Sequence, residues 1–120
     1  MNYLLIFIGG GLGSLVRFVL TDWFKSNQHL LTGTLVSNII SCAILAICAA
    51  KIQSSSNQDM IQYLLMIGFC GGFSTFSTFT MELFQCLEQK QWQTTIAYIG
   101  ISIISCLLVF SVCYVLAKKL

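Results

Sequence analysis

Four long apolar stretches, separated by short polar connections, leave this chain one solvent to fold in. Tyr3–Leu20, Leu30–Ala50, Met60–Leu87 and Ile96–Ala117 are each long enough to cross a bilayer, which takes about 20 mainly apolar residues over about 30 Å of hydrocarbon. The connections are Thr21–His29, Lys51–Asp59 and Glu88–Thr95. Only 8% of the 120 residues are charged and 57% are hydrophobic, whereas an ordinary soluble domain carries about 25% charged residues. A soluble domain of this size could not hide so much apolar surface. Closed β-barrels also span membranes, but the stretches show no apolar/polar alternation. The expected fold is an all-α membrane protein, a single four-helix transmembrane domain over residues 1–120. Trp23 and Trp92 fall at segment ends, where interfacial aromatics concentrate.

The first stretch is expected to be a retained span. Met1-Asn2 has no basic side chain, and Gly9-Gly10-Gly11 interrupts the apolar run, unlike a cleaved leader. Cys42, Cys48, Cys70, Cys86, Cys106 and Cys113 lie in or at the ends of spans without a C-x-x-C pair. They read as small apolar fillers, not zinc ligands. His29, the single histidine, sits in a connection without ligand company and reads as solvated. A net charge of +2 in such a chain carries no indication of nucleic acid.

Four spans put both termini on one side, with Lys51, Lys118 and Lys119; Arg17, Lys25 and Lys90 lie on the other. Orientation follows the Lys/Arg bias of short loops, and a three-against-three tally has none. Insertion in both orientations, or pairing with a chain of opposite bias, would account for it.

Polar residues inside the spans fall on helical faces. Gly10, Gly13, Ser14 and Arg17 recur at i, i+3, i+4 and i+7, as do Thr34, Ser37, Asn38 and Ser41. Tyr98, Ser102 and Ser105 lie at i, i+4 and i+7. Small and hydroxyl residues also serve helix–helix packing. Three such stripes with an intramembrane Asn and Arg lean toward a polar pathway, because such groups mark function by default. The third span reads Gly68-Phe-Cys-Gly-Gly-Phe-Ser-Thr-Phe-Ser-Thr-Phe-Thr80. Gly71-Gly72 midway through an overlong span predicts a helix break, whose freed carbonyls can hold a cation. Beyond it Phe76 and Phe79 share one face, interleaved with hydroxyls.

This third-span string resembles the signature of the Fluc/CrcB fluoride channels. Gly9-Gly10-x-x-Gly13-Ser14-x-x-Arg17-Phe18 is similar to that family's first-helix motif, and Gly33-Thr34-Leu35-x-x-Asn38 to its second. The resemblance implies a fluoride-selective channel of the plasma membrane, passive and not an enzyme. It implies an antiparallel, dual-topology dimer with two pores and a structural sodium ion at its centre. Phe76 and Phe79 would face fluoride, Asn38 would be the amide donor beside them, and Ser77, Thr78, Tyr98, Ser102 and Ser105 would form the polar track. Gly71 and Ser74 would offer carbonyls to sodium, and Arg17 and Glu82 would stand near the pore entrances. Ser41 replaces a usual glycine, Ser37 an apolar residue, and the proline usual before Gly33-Thr34 is missing. Some relatives form heterodimers with one degenerate pore, and these departures leave that arrangement open.

The physics is compatible with the resemblance. Asn amides and Ser/Thr hydroxyls can replace water around an anion, and phenyl rings present positive edges. Neither selects fluoride over chloride, a choice that rests on the resemblance. A small multidrug-type proton-coupled exporter, the alternative, needs a carboxylate in its first helix, where the ionisable group is Arg17. A lipid kinase needs clustered acids, but Asp22, Asp59, Glu82 and Glu88 are scattered.

Overall fold

The computed structural model describes residues 1–26 and 30–120, so the reading of His29 falls outside the described residues. It is all-helical. α1 (Asn2–Ser26) and α2 (Leu30–Lys51) are continuous. The third span, Met60–Glu88, is composite. It begins as a wide, π-wound segment (Met60–Cys70), runs into the single turn α3 (Gly71–Phe73), breaks, and resumes as α4 (Phe76–Glu88). α5 (Trp92–Lys119) closes the chain. All four spans are long and apolar enough to cross a membrane, and the molecule's long axis of 51 Å exceeds the hydrocarbon thickness.

The helices outrun the apolar stretches read from sequence. Residues 21–26 continue α1 and residues 92–95 open α5. A backbone at the membrane rim still satisfies its polar groups most simply as helix. α1, α2 and α5 each carry lysine in the last turn, Lys25, Lys51 and Lys118-Lys119. Those ammonium groups meet the negative helix end while reaching toward the headgroups. Between α4 and α5 the turn is made by Lys90, whose φ of 57° is left-handed.

Burial is inverted relative to a soluble protein. Among the described residues the largest fully buried side chains are Thr34 and Ser37, while Phe7, Phe18, Leu107 and many other large apolar groups are exposed. With lipid outside there is no hydrophobic drive between helices, so close packing and hydrogen bonds hold them together. α1 lies along the first half of the third span at backbone contact. A Cβ on Gly9 would collide with the Leu64 carbonyl, one on Gly13 with the Phe69 carbonyl, and one on Gly72 with the Gly10 carbonyl. Gly9-x-x-x-Gly13 thus meets Gly68-x-x-x-Gly72, an approach that only residues lacking a Cβ permit. Ser14 Oγ adds a 3.4 Å bond to the Gly72 carbonyl. The glycines and Ser14 of the first-span stripe are therefore engaged in packing, with Gly9 rather than Gly10 at the tightest contact. α2 packs against α5, and α4 joins that pair.

Candidate functional site

The break in the third span is two residues long and falls at Ser74-Thr75, not at the glycine pair. Gly71 is helical, with φ −63° and ψ −37°, whereas Ser74 (ψ 156°) and Thr75 (φ −151°, ψ 118°) are extended. Side chains make the break. In an unbroken helix the Thr75 N–H would donate to the Gly71 carbonyl. Here it donates to Asn38 Oδ1 at 2.8 Å, and Asn38 Nδ2 reaches the Thr75 carbonyl at 3.4 Å. Likewise the Thr78 N–H, the helical partner of the Ser74 carbonyl, donates to Thr75 Oγ1 at 3.2 Å. Thr75 is thus the N-cap of α4, a role for which Thr is suited. Ser41 and Ser74 hydroxyls both donate to the Cys70 carbonyl, at 3.1 and 2.9 Å. The carbonyls of Gly71 and Ser74 are in this way relieved of their helical donors.

A groove of about 270 Å³ opens beside the break, lined by Asn38, Ser74, Thr75, Phe76, Phe79 and Ser102, with Cys42, Ile103 and Cys106. Four of the residues expected along an anion path, Asn38, Phe76, Phe79 and Ser102, meet here. One Nδ2 proton of Asn38 is committed to Thr75; the amide has a second. Ser102 Oγ, among the described residues, is buried without a hydrogen-bond partner. Buried polar atoms are rarely left so, and this one belongs to a residue that lines the groove.

Three rings follow. Phe76 is 79% exposed and its centroid lies 5.9 Å from Phe79, tilted by 45°. Phe79, buried, lies 5.0 Å from Tyr98 at 59°. The Tyr98 hydroxyl donates to Glu82 Oε2 at 2.7 Å and approaches the Leu31 carbonyl at 3.3 Å, while Thr34 Oγ1 donates to Glu82 Oε1 at 2.6 Å. Glu82 is only 7% exposed. A buried carboxyl group is tolerated when hydrogen bonds saturate it.

The other expected residues are placed as follows. Thr78 Oγ1 lies 3.0 Å from Thr75 Oγ1, and Ser77 Oγ 3.3 Å from it, at the start of α4. Ser105 donates back to carbonyls of its own helix. Arg17 is half-buried on α1, which gives the groove no lining residue. Sequence reading assigned no role to Thr75, although a Thr ahead of the helical run Phe76–Glu88 is a cap signal. It also missed Cys42 and Cys106, each four residues beyond an expected member, Asn38 and Ser102. That helical spacing was the available signal.

Helices with buried hydroxyls and outward apolar groups, around a broken span and a polar–aromatic groove, define a multi-pass membrane protein. The sequence profile described as CrcB-like protein, Camphor Resistance (CrcB), matches residues 4–114. A protein of Francisella tularensis subsp. mediasiatica named fluoride-specific ion channel FluC is 35% identical over 111 residues, 88% of this chain and 85% of its own length. Proteins of the same name from Leptospira interrogans serovar copenhageni (36% over 106 residues, 86% and 84%) and Phocaeicola vulgatus (35% over 100 residues, 82% and 83%) are similarly related. This chain belongs to the CrcB family of fluoride-specific ion channels.

Proposed function

We propose that this protein conducts fluoride passively out of the cell, and that the groove beside Asn38, Phe76, Phe79 and Ser102 is the wall of its pore. The observation that carries the reading is the unpartnered, buried Ser102 hydroxyl in the same groove as the uncommitted Asn38 amide proton. Both are donors suited to an anion stripped of part of its water. Phenyl edges beside them attract an anion weakly, and conduction needs such moderate, multi-site binding. Tyr98, with Thr34 and Glu82 behind Phe79, extends the polar track, and Ser77 and Thr78 lie at its α4 end. Ser105 continues the α5 side, and Arg17 contributes positive charge toward an entrance.

Phe76 is too exposed for a pore wall unless something covers the groove. A second, inverted copy would do so, and the balanced lysine and arginine tally supports insertion both ways. Two such copies would hold two pores. A structural sodium ion would be held by the carbonyls of Gly71 and Ser74. Hard cations take oxygen ligands, the Gly71 and Ser74 carbonyls are freed by side-chain capping, and a Cβ on Gly71 would meet open space. Sodium there would supply the positive charge that these carbonyl oxygens solvate. A paralogous partner in place of the second copy is the alternative arrangement.

Fluoride efflux from liposomes containing this chain alone tests the reading. Rapid passive efflux, independent of a proton gradient, is expected. A preparation that is folded but silent until a second chain is added would establish the heterodimer, and silence in both cases would overturn the assignment.

A further inference from the structure

The polar stripe of α2 holds the third span at three heights. Thr34 Oγ1 donates to Glu82 at 2.6 Å, Asn38 Oδ1 accepts from the Thr75 N–H at 2.8 Å, and Ser41 Oγ donates to the Cys70 carbonyl at 3.1 Å. The spacing i, i+4 and i+7 on one helix thus meets positions 82, 75 and 70 in antiparallel order. The last two lie on opposite sides of the break, which opens at Ser74. Ser37, the fourth member of the stripe, is as deeply buried as Ser41 (0% and 2% exposed) but donates back to the Gly33 carbonyl of its own helix.

The Cys70 carbonyl stands where the winding changes. The wide, π-wound segment ends at Cys70 and α3 begins at Gly71. π winding is rare and seldom runs beyond a single turn, so this junction needs support from outside the span. Its oxygen accepts from the Ser74 N–H at 3.0 Å and from the Ser74 hydroxyl at 2.9 Å, both within the third span. The Ser41 bond ties the same oxygen to α2.

We propose that Ser41 is a positioning residue for conduction: it pins the near side of the break, so that Asn38 holds the far side at a fixed place in the groove. α2 then grips the chain both before and after Gly71–Ser74. Without the Ser41 bond the end of α3 is free to move off α2 and carry Ser74-Thr75 with it. The Asn38–Thr75 bond then opens more often, and the amide proton left for the anion loses its fixed direction. Ser41 stands where the family usually has glycine, which offers no hydroxyl, so the pin is a feature of this chain. The effect on conduction rests on the channel reading; the effect on the break does not.

Deuterium exchange at the Thr75 amide, resolved by NMR of the purified full chain, reads the break directly. Ser41→Ala should speed that exchange about fivefold, the scale of one neutral hydrogen bond, while the amides of α5 keep their wild-type rates. Ser37→Ala removes an equally buried hydroxyl from the same helix and should leave Thr75 unchanged. In liposomes at equal amounts of assembled protein, Ser41→Ala should slow fluoride efflux severalfold and Ser37→Ala should not. Ser41→Thr, which keeps the hydroxyl, should stand nearer wild type in both measurements. Where its added methyl impairs recovery on size exclusion, the contrast between the two alanine variants decides. Thr75 exchange that is unchanged in Ser41→Ala, or quickened equally by Ser37→Ala or throughout α5, overturns the pin. Faster exchange with undiminished efflux overturns the role in conduction. A chain that conducts nothing yet shows the exchange contrast retains the pin and refutes only the channel.

Discussion

Changing Asn38 to Asp replaces one amide nitrogen with oxygen and separates two tasks of that side chain. The oxygen accepting from the Thr75 N–H at 2.8 Å survives, so the break in the third span persists. The donor to the Thr75 carbonyl, at 3.4 Å, is lost. A neutral hydrogen bond contributes about 0.5–1.5 kcal/mol net, and one this long falls toward the lower figure. The electrostatic term is larger. An anion about 4 Å from a fixed carboxylate is repelled by about 1 kcal/mol in water and about 4 kcal/mol at an effective dielectric near 20. At about 1.4 kcal/mol per decade, flux should fall between about fivefold and about a thousandfold, with assembly little changed. The groove is lined mostly by carbon and is not bulk water, which favours the upper part of that range. Efflux measured by fluoride electrode, beside Leu107→Ile on the lipid-exposed face of α5 as a packing control, reads the effect. An Asn38→Asp variant that elutes and conducts as wild type would refute the placement of Asn38 beside the anion.

Phe76→Ile, at a 79% exposed ring, should cost stability within about 0.5 kcal/mol, and Phe79→Ile, buried against Tyr98, about 1–2 kcal/mol. Both should cut flux steeply at equal dimer yield; a loss of yield with intact specific flux would mean that the rings only pack. Gly13→Val drives a side chain into the Phe69 carbonyl and should abolish folded protein, read as recovery on size exclusion. Gly71→Val meets open space at an ordinary helical φ, so the single chain should fold while sodium-dependent assembly and flux fail, and Ser74→Ala should be far milder; wild-type transport in Gly71→Val contradicts the carbonyl site. Reporters fused after Leu120 should be active on both sides of the membrane, and lysines added to one connection should fix a single orientation.

The helices were legible because lipid imposes so coarse a rule. Length and apolarity suffice where every backbone group must be bonded internally. What escaped was the difference between the stripes. Gly9, Gly10 and Gly13 read alike in sequence, yet which of them meets the third span depends on how two helices cross. The glycine pair at 71–72 suggested the break, but Gly72 is needed for contact with Gly10 and both residues stay helical. The break comes from Asn38, on another helix, capturing the Thr75 N–H. A partner 37 positions away cannot be read from local propensity. The partners of Glu82, expected near a pore entrance, were not legible for the same reason. Its site depends on Thr34 and Tyr98 arriving from α2 and α5.

Asn38 thereby links the fold to the proposed conduction. The same amide that ends α3 also lines the groove, so the Gly71 carbonyl it frees and the proposed path it borders are set by one side chain. Neither function could be tuned alone. A stronger grip on Thr75 would draw the amide away from the groove, and a weaker one would let the Thr75 N–H return to the Gly71 carbonyl and anneal the helix. In the groove the other groups suited to an anion are sparse, the buried unpartnered hydroxyl of Ser102 and the ring edges of Phe76 and Phe79. For a strongly hydrated anion that sparseness has a use. Each additional donor would deepen the well, and an ion held as firmly as water holds it, with no exchange partner, would not move on. Aromatic edges lower the barrier between donors without creating another deep site. On this view hydroxyls added along the groove should slow conduction rather than speed it.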